Sequence, residues 1–247
     1  MIKHFIILSS SYIDGQRIAL DFIIDDSTGY ERAKSAIEII RERTGGEIPL
    51  STHYIEVKND TWEAVQEYDA FFSAVKKESS IDAFIDTINK SRLLKGIDVA
   101  NYILTVIKCS HTKLEKLVYL AYADYLCAFK EKLFEDKIYA FQYGPVIDSV
   151  FETFKDCGYV ELENNEDERF VSSVSRMPAK SRILFAKNGK NKLIAIDRVI
   201  ERYKDYSASQ LVNLTHKKNS PWENCYDGGF RTQISDEAIL KYHQCEV

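Results

Sequence analysis

Three aspartates near the start of the chain are the side chains best placed for metal-dependent chemistry. Asp25 and Asp26 follow a run of strand-forming residues, and Asp14 lies in the turn before that run. Carboxylates grouped in this way can hold Mg²⁺ for phosphoryl transfer. An acidic residue and a serine are also normal start signals of a helix, and Asp26 and Ser27 precede a predicted helix here. We therefore interpret these charges as solvated residues at a helix start.

The other chemistry-bearing residues form no recognised catalytic pattern. The five histidines are far apart in the sequence, and no two have the spacing of metal ligands. The chain has no phosphate-binding glycine loop, no HExxH and no GxSxG. Its five scattered cysteines include no CxxC pair, which favours reduced thiols in a cytoplasm. We expect a protein that is not an enzyme and that binds no cofactor and no metal.

The composition is that of a globular protein with an acidic balance. The 247 residues are 45% hydrophobic and 29% charged, enough to form one large domain or two small ones. A net charge of −5 argues against a protein whose main task is to bind nucleic acid. Six basic and no acidic residues lie from Arg176 to Lys192. This segment is either a nucleic-acid patch or, as we favour, a solvated hairpin or loop around Asn188-Gly189. No signal peptide opens the sequence and no apolar run could span a bilayer, so we expect no membrane partner.

The first ninety residues are predicted to form a small α/β module. Apolar, β-branched runs flank the turn at Asp14-Gly15 and predict a hairpin, with a third strand further on. An N-cap at Asp60 starts a helix that we expect to reach about Val75, and the polar residues 76–80 are expected to be a connector. The predicted strands span 3–10, 18–25 and 53–58, and the other helices span 30–43 and 81–90.

Charge also separates the two halves of the chain. Residues 1–90 contain 10 basic and 16 acidic residues, a net charge of −6, whereas residues 91–247 contain 23 and 22, a net charge of +1. We place the domain boundary near residue 90. The fold class is therefore predicted to be α+β, with an N-terminal α/β module at 1–90 and a mainly helical domain at 91–247.

The second half contains clear sequence signals for helix N-termini. Thr112 and Glu115 fit a capping box, which would begin a helix that is apolar on almost all sides and runs to about Lys130. This helix should be the central buried element. Asp124 lies within it and needs a partner: it is either a functional carboxylate in a partner-binding cleft or, as we favour, a residue bonded to a tyrosine hydroxyl or at a wet edge. Further helices are predicted at 97–107, 146–157 and 193–203 and after Ser207, Ser220 and Ser235.

Aromatic residues are concentrated in and just after the central helix. They include Tyr119, Tyr122, Tyr125, Tyr139, Phe141 and Tyr143. Tyrosine side chains are typical of a core that borders solvent on one side, because the ring is apolar and the hydroxyl is polar. Aromatic side chains also contribute much of the binding energy at interfaces. We expect most of them to be core residues and a subset to lie at an interface.

Three ordered segments of the second half resemble one family. Residues 113–121, KLEKLVYLA, resemble the KLQKLLYFA signature of the Panacea domain family, which includes SocA-like antitoxins and phage-associated GepA-type proteins. Residues 141–158 resemble its W-x-YGPV…FK-x-x-G segment, with Phe141 in place of tryptophan. Residues 207–222 are similar to its LS-x-LTH…SPW segment. The likeness covers about residues 95–245.

The resemblance implies a cytoplasmic antitoxin that neutralises a co-encoded protein toxin of a bacterial or phage toxin-antitoxin system by direct binding. The alternative that it implies is an adaptor that delivers the toxin to an AAA+ protease; a nucleic-acid-binding regulator is a weaker alternative. Residues 1–90 lie outside the likeness, and their negative charge would suit a basic toxin surface. We expect the following residues to bind the partner or to belong to the domain signature: Tyr119, Tyr122, Asp124, Phe141, Tyr143, Gly144, Pro145, Thr215, His216, Pro221 and Trp222.

Overall fold

The chain folds into two compact units. The computed structural model describes residues 1–12, 15–25, 27–46, 48–158, 160–162, 178–229 and 231–246. Contacts assign Met1–Arg92 to the first unit, and the second unit begins at Leu93. That each unit is a domain able to fold alone, with a boundary near residue 90, stays a prediction.

In its described residues, the first unit is a four-stranded sheet with helices on both faces. Its elements are β1 (Ile2–Ser11), β2 (Gln16–Ile23), α1 (Ser27–Thr44), β3 (Ser51–Val57), α2 (Trp62–Tyr68), β4 (Val75–Lys77) and α3 (Ile81–Ser91). The strand order is β3-β1-β2-β4, with β1 antiparallel to both neighbours and β4 parallel to β2. Alternate residues of β1 point to opposite faces, so Ile6 packs with Val65 of α2 and Ile7 packs with α1 and α3.

The predicted hairpin, third strand and helices of this unit are present, but three details are corrected. The N-cap of α2 is Thr61, not Asp60, because the Thr61 hydroxyl accepts a hydrogen bond from the Ala64 amide. That helix ends at Tyr68, since the Asp69 carboxylate caps a separate 3-10 turn at Ala70–Ala74. The expected connector at 76–80 was also wrong in part. Its first two residues, Lys76 and Lys77, pair with β2 as strand β4.

The second unit is mainly helical, which confirms the predicted α+β class. Its helices are α4 (Gly96–Val106), α5 (His111–Phe129), α6 (Asp148–Phe154), α7 (Ala179–Phe185), α8 (Gly189–Tyr203), α9 (Ala208–Thr215), α10 (Pro221–Cys225) and α11 (Asp236–Tyr242). Its strands are β5 (Cys109–Ser110), β6 (Ile138–Phe141), β7 (Gly144–Ile147), β8 (Glu161–Leu162) and β9 (Thr232–Ile234). They form a β5-β8 pair and a β7-β6-β9 sheet.

Helix α5 is the centre of this unit, as its sequence predicts. It is buried on nearly all sides and packs against α4, α6, α8, α9, α11 and β7. A helix that is apolar on almost all sides is stable in water only where other elements cover it. The hydroxyls of Ser207, Ser220 and Ser235 cap α9, α10 and α11, as predicted.

The expected start of α5 was wrong. The capping residue is Ser110, whose hydroxyl accepts from the Lys113 amide, and not Thr112. Glu115 therefore takes no part in the helix cap. Its carboxylate instead accepts a hydrogen bond from the Ile147 amide. The sequence pattern fitted a capping box, but the β5-β8 pairing of Ser110 sets the helix start two residues earlier.

Two other expected segments differ from the structure. Val146 lies in β7, opposite Tyr139, so the helix predicted for 146–157 begins only at Asp148. The expected solvated loop around Asn188-Gly189 is instead a tight junction between α7 and α8. Asn188 takes a left-handed conformation there, with φ of 58°. A Cβ at Gly189 would lie 2.4 Å from the Leu184 carbonyl oxygen, so only glycine allows this close approach.

Candidate functional site

Two charged residues of α5 fix the β6-β7 hairpin from inside the second unit. Glu115 is 2% exposed and Lys116 is 1% exposed. The Glu115 carboxylate accepts hydrogen bonds from the Ile147 amide at 2.9 Å and from His111 Nε2 at 3.1 Å. The Lys116 ammonium donates to the Pro145 carbonyl at 2.9 Å. Charged side chains this deep persist only when they are paired, so both belong to the scaffold.

Burial changes the acidity of both residues. It raises the pKa of the Glu115 carboxyl, against the hydrogen bonds from His111 and Ile147. It lowers the pKa of Lys116 to about 8, against the attraction of Glu115. These shifts follow from removing charges from water and do not by themselves indicate chemistry.

Gly144 lies where the hairpin packs closely against α5 and α9. Its φ is 99°, a conformation that L side chains rarely adopt. A Cβ at this position would lie 2.8 Å from Cε of Lys116 and 2.9 Å from Oγ1 of Thr215. Glycine is therefore required by the backbone conformation and also by the space between α5 and α9.

A second set of contacts holds the hairpin from the α9-α10 junction. Trp222 Nε1 donates to the Phe141 carbonyl at 2.7 Å, and the Trp222 ring stacks on Tyr226 at 4.7 Å. His216 Nε2 lies 3.2 Å from the Gln142 carbonyl oxygen, and its ring centroid is 3.6 Å from that of Trp222. Aromatic residues of the α9-α10 junction thus hold the backbone on the β6 side of the hairpin tip, whereas Lys116 holds the β7 side.

Tyr143 is the exception within this fixed hairpin. Its side chain is 67% exposed, whereas Gly144 and Pro145 beside it are buried. An aromatic side chain held on a rigid backbone loses little conformational entropy on binding, which is typical of an interface anchor. We name the exposed and half-buried aromatics here, Phe141, Tyr143, Trp222 and Tyr226, the hairpin face.

The expected site residues fall into three groups. Phe141, Tyr143, Gly144, Pro145, Thr215, His216, Pro221 and Trp222 come together around the hairpin. Tyr119 and Tyr122 are almost fully buried, which suits a core role. Asp124 belongs to a different cluster. That these positions bind a partner stays a prediction.

The cluster around Asp124 connects α5 to the turn after α11. His243 Nε2 donates to Asp124 Oδ1 at 2.8 Å, and His243 Nδ1 donates to Glu246 Oε2 at 2.7 Å. Tyr119 donates to the same Glu246 oxygen at 2.9 Å. Arg202 of α8 approaches the other Asp124 oxygen at 3.6 Å. Asp124 is thus balanced by two cations and not by the tyrosine hydroxyl of the first expectation. Its side chain is 25% exposed, which agrees with the alternative of a wet edge.

Sequence reasoning missed His243 and Glu246 as partners of α5. Tyr119 and Tyr122 do donate to carboxylates, but to Glu246 and Asp236 rather than to Asp124. The one sequence signal for this cluster was Asp124 itself, because a carboxylate in an apolar helix needs a partner. No periodicity in the sequence connects residue 124 with residue 243.

The described members of the candidate metal and nucleic-acid sites are solvated or have structural partners. Asp25 is exposed, and Asp14 and Asp26 lie outside the described residues. Of the basic segment, Arg182 pairs with Asp98 at 3.2 Å and Lys192 donates to the Leu133 carbonyl from a buried position. Arg176 lies outside the part of the chain that is described. Within that part, no group of three or more His, Cys, Asp or Glu side chains is placed to hold a metal ion.

None of the helices in the described ranges has the length and apolar character needed to cross a membrane.

Comparison with known protein families gives one match. Residues 114–223, 110 of the 247 residues, match the family model described as antitoxin SocA-like, Panacea domain. No curated protein and no solved structure matches the chain. The matched range runs from α5 to α10 and contains the hairpin, the buried Glu115 and Lys116, and the α9-α10 junction. Residues 114–223 are therefore similar to the Panacea domain of SocA-like antitoxins.

Proposed function

We propose that this protein is an antitoxin that neutralises a co-encoded protein toxin by direct binding, and that it is not an enzyme. The family match supports an antitoxin-type role. The toxin itself and the mode of neutralisation are part of the proposal.

The observation that carries the proposal is the exposed Tyr143 on a hairpin fixed from both sides. Lys116 and Trp222 hold the backbone at Pro145 and Phe141, while the Tyr143 ring projects into solvent. Tyrosine and tryptophan contribute most of the binding energy at many protein interfaces. The hairpin face is therefore the surface that we assign to the toxin.

The remaining signature residues have a supporting role in this proposal. Gly144 and Thr215 allow the close approach of the hairpin to α5, and Pro221 begins α10 with its Trp222 ring turned toward the hairpin. They determine the shape of the surface without contacting the toxin. Substituting them should reduce folding stability before it reduces affinity.

The test is co-expression with the product of the adjacent open reading frame. Growth should stop when that product is made alone and should recover when this chain is made with it. The two proteins should also co-purify as a complex. Equal toxicity with and without this chain would contradict the proposal.

The same cultures distinguish binding from delivery to a protease. Direct neutralisation predicts that the toxin accumulates in a stable complex with an unchanged half-life. A toxin half-life that shortens when this chain is present would instead favour the adaptor role and overturn neutralisation by binding alone.

A further inference from the structure

The two edges of the sheet in the first unit are built differently. At one edge, β4 has three residues, and two of them are the exposed lysines Lys76 and Lys77. Short edge strands and lysines are the usual means by which proteins prevent an edge from pairing with another chain. This edge is therefore protected.

The opposite edge carries none of these protective features. β3 spans seven residues, Ser51–Val57, and among the described strands it pairs on one side only, with β1. It contains neither proline nor lysine, its single charged residue is Glu56, and none of its residues has a positive φ. A seven-residue edge of this kind offers its free backbone N–H and C=O groups to an added strand.

The side chains of β3 also suit an added strand. Ile55 and Val57 pack into the core beneath α2, which anchors the strand. On the opposite face Thr52, Tyr54 and Glu56 are exposed, and the Tyr54 side chain is 54% exposed. Aromatic and β-branched residues in these positions gain contacts when a strand is placed beside them.

Charge indicates what kind of strand would bind. The segment 58–75, which includes the helix α2 that packs against β3, carries four exposed acidic residues, Asp60, Glu63, Glu67 and Asp69, and one basic residue, Lys58. Glu56 adds a further negative charge on β3 itself, although Lys3 lies 3.9 Å from it. A second copy of this chain would bring the same negative charges to the edge and be repelled. A lysine- or arginine-bearing segment would be attracted.

We propose that the open edge of β3 binds an extended basic segment of a partner protein as an added β-strand. The inference concerns the first unit and does not rest on the toxin-binding role proposed for the hairpin face.

The test uses three synthetic nonapeptides and the full-length protein labelled with ¹⁵N. The first peptide alternates lysine with threonine and valine, the second has the same sequence with N-methyl groups on alternate amides, and the third has glutamate in place of lysine. The lysine peptide should shift the amide signals of residues 51–57 and slow their hydrogen exchange. Both other peptides should bind at least tenfold more weakly, because one lacks edge donors and the other lacks positive charge.

A pair of charge variants tests the electrostatic part. Glu56→Lys should weaken binding of the lysine peptide severalfold, whereas Glu31→Lys, at an exposed position of α1, should change it less than twofold. Equal binding of the lysine and N-methylated peptides would overturn strand addition. No shift at residues 51–57 with millimolar lysine peptide would also overturn it, as would shifts at these residues caused by self-association without peptide.

Discussion

Asp124 Oδ1 accepts a hydrogen bond from His243 Nε2 at 2.8 Å, which connects the central helix of the second unit to the turn that follows α11. Burial alone would lower the pKa of His243, but hydrogen bonds to Asp124 and Glu246 outweigh it and raise the pKa to about 9. The imidazole is therefore protonated at neutral pH and donates from both nitrogens.

This relationship predicts a loss of stability at alkaline pH. Because the folded-state pKa lies above the unfolded value of 6.5, the contribution of His243 is fully present below pH 6.5 and is lost as the pH rises through about 9. Its full size is on the order of 3 kcal/mol. Urea unfolding of the wild type and of His243→Gln between pH 6 and 9.5 should show free energies that converge as the pH rises.

The comparison with the variant is needed because two lysines have the opposite effect. Burial lowers the pKa values of Lys116 and Lys192 to about 8, so their burial in the folded state becomes less unfavourable above that pH. The difference between wild type and variant removes this contribution. A difference that stays constant from pH 6 to 9.5 would show that His243 is not held as a cation.

Gly144→Ala should destabilise the protein more than Gly228→Ala. Both glycines have positive φ, 99° and 78°, so both substitutions introduce backbone strain of about 1 kcal/mol or more. At Gly144 the new Cβ would also meet Lys116 and Thr215 below 3.0 Å, whereas nothing lies within 4 Å at Gly228. Denaturant unfolding should show a gap of about 2 kcal/mol between the variants, and equal losses would mean that the hairpin does not pack as described.

Removing the Glu115 carboxylate should be among the most damaging changes. Glu115→Ala leaves the buried Ile147 amide without its acceptor and Lys116 without a compensating charge, which should destabilise the protein by about 3–5 kcal/mol. Lys116→Met keeps the volume of the side chain, and we expect a smaller loss, about 1–3 kcal/mol.

The matched control for this prediction is an exposed pair. Glu152 and Lys155 lie 2.5 Å apart on the surface, and Glu152→Ala should leave the unfolding free energy unchanged. If Glu115→Ala has as little effect as Glu152→Ala, the two buried charges do not fix the hairpin.

The general organisation of this protein follows from local sequence patterns. The apolar periodicity of α5, the serine caps of α9 to α11 and the alternating strands of the first unit depend on residues close in sequence. The three signature segments also predicted the resemblance to the Panacea domain family, which the match at residues 114–223 confirms.

The errors arose where a partner distant in sequence decides the local structure. Val146 lies in a strand because it pairs with β6. Lys76 and Lys77 lie in a strand because they pair with β2. Glu115 fitted a capping pattern, but the Ile147 amide on the hairpin uses its carboxylate. The Asp124-His243 contact spans 119 residues, and no local pattern predicts it.

The most direct measurement for the central claim is the affinity of two tyrosine variants for the product of the adjacent open reading frame. Tyr143 is 67% exposed on the fixed hairpin, and Tyr206 is 39% exposed elsewhere in the same unit, so both should be replaceable by alanine without loss of the fold. Thermal unfolding checks this for each variant. By titration calorimetry, we predict that Tyr143→Ala weakens binding at least tenfold and that Tyr206→Ala changes it less than twofold. Wild-type affinity in Tyr143→Ala would contradict the account.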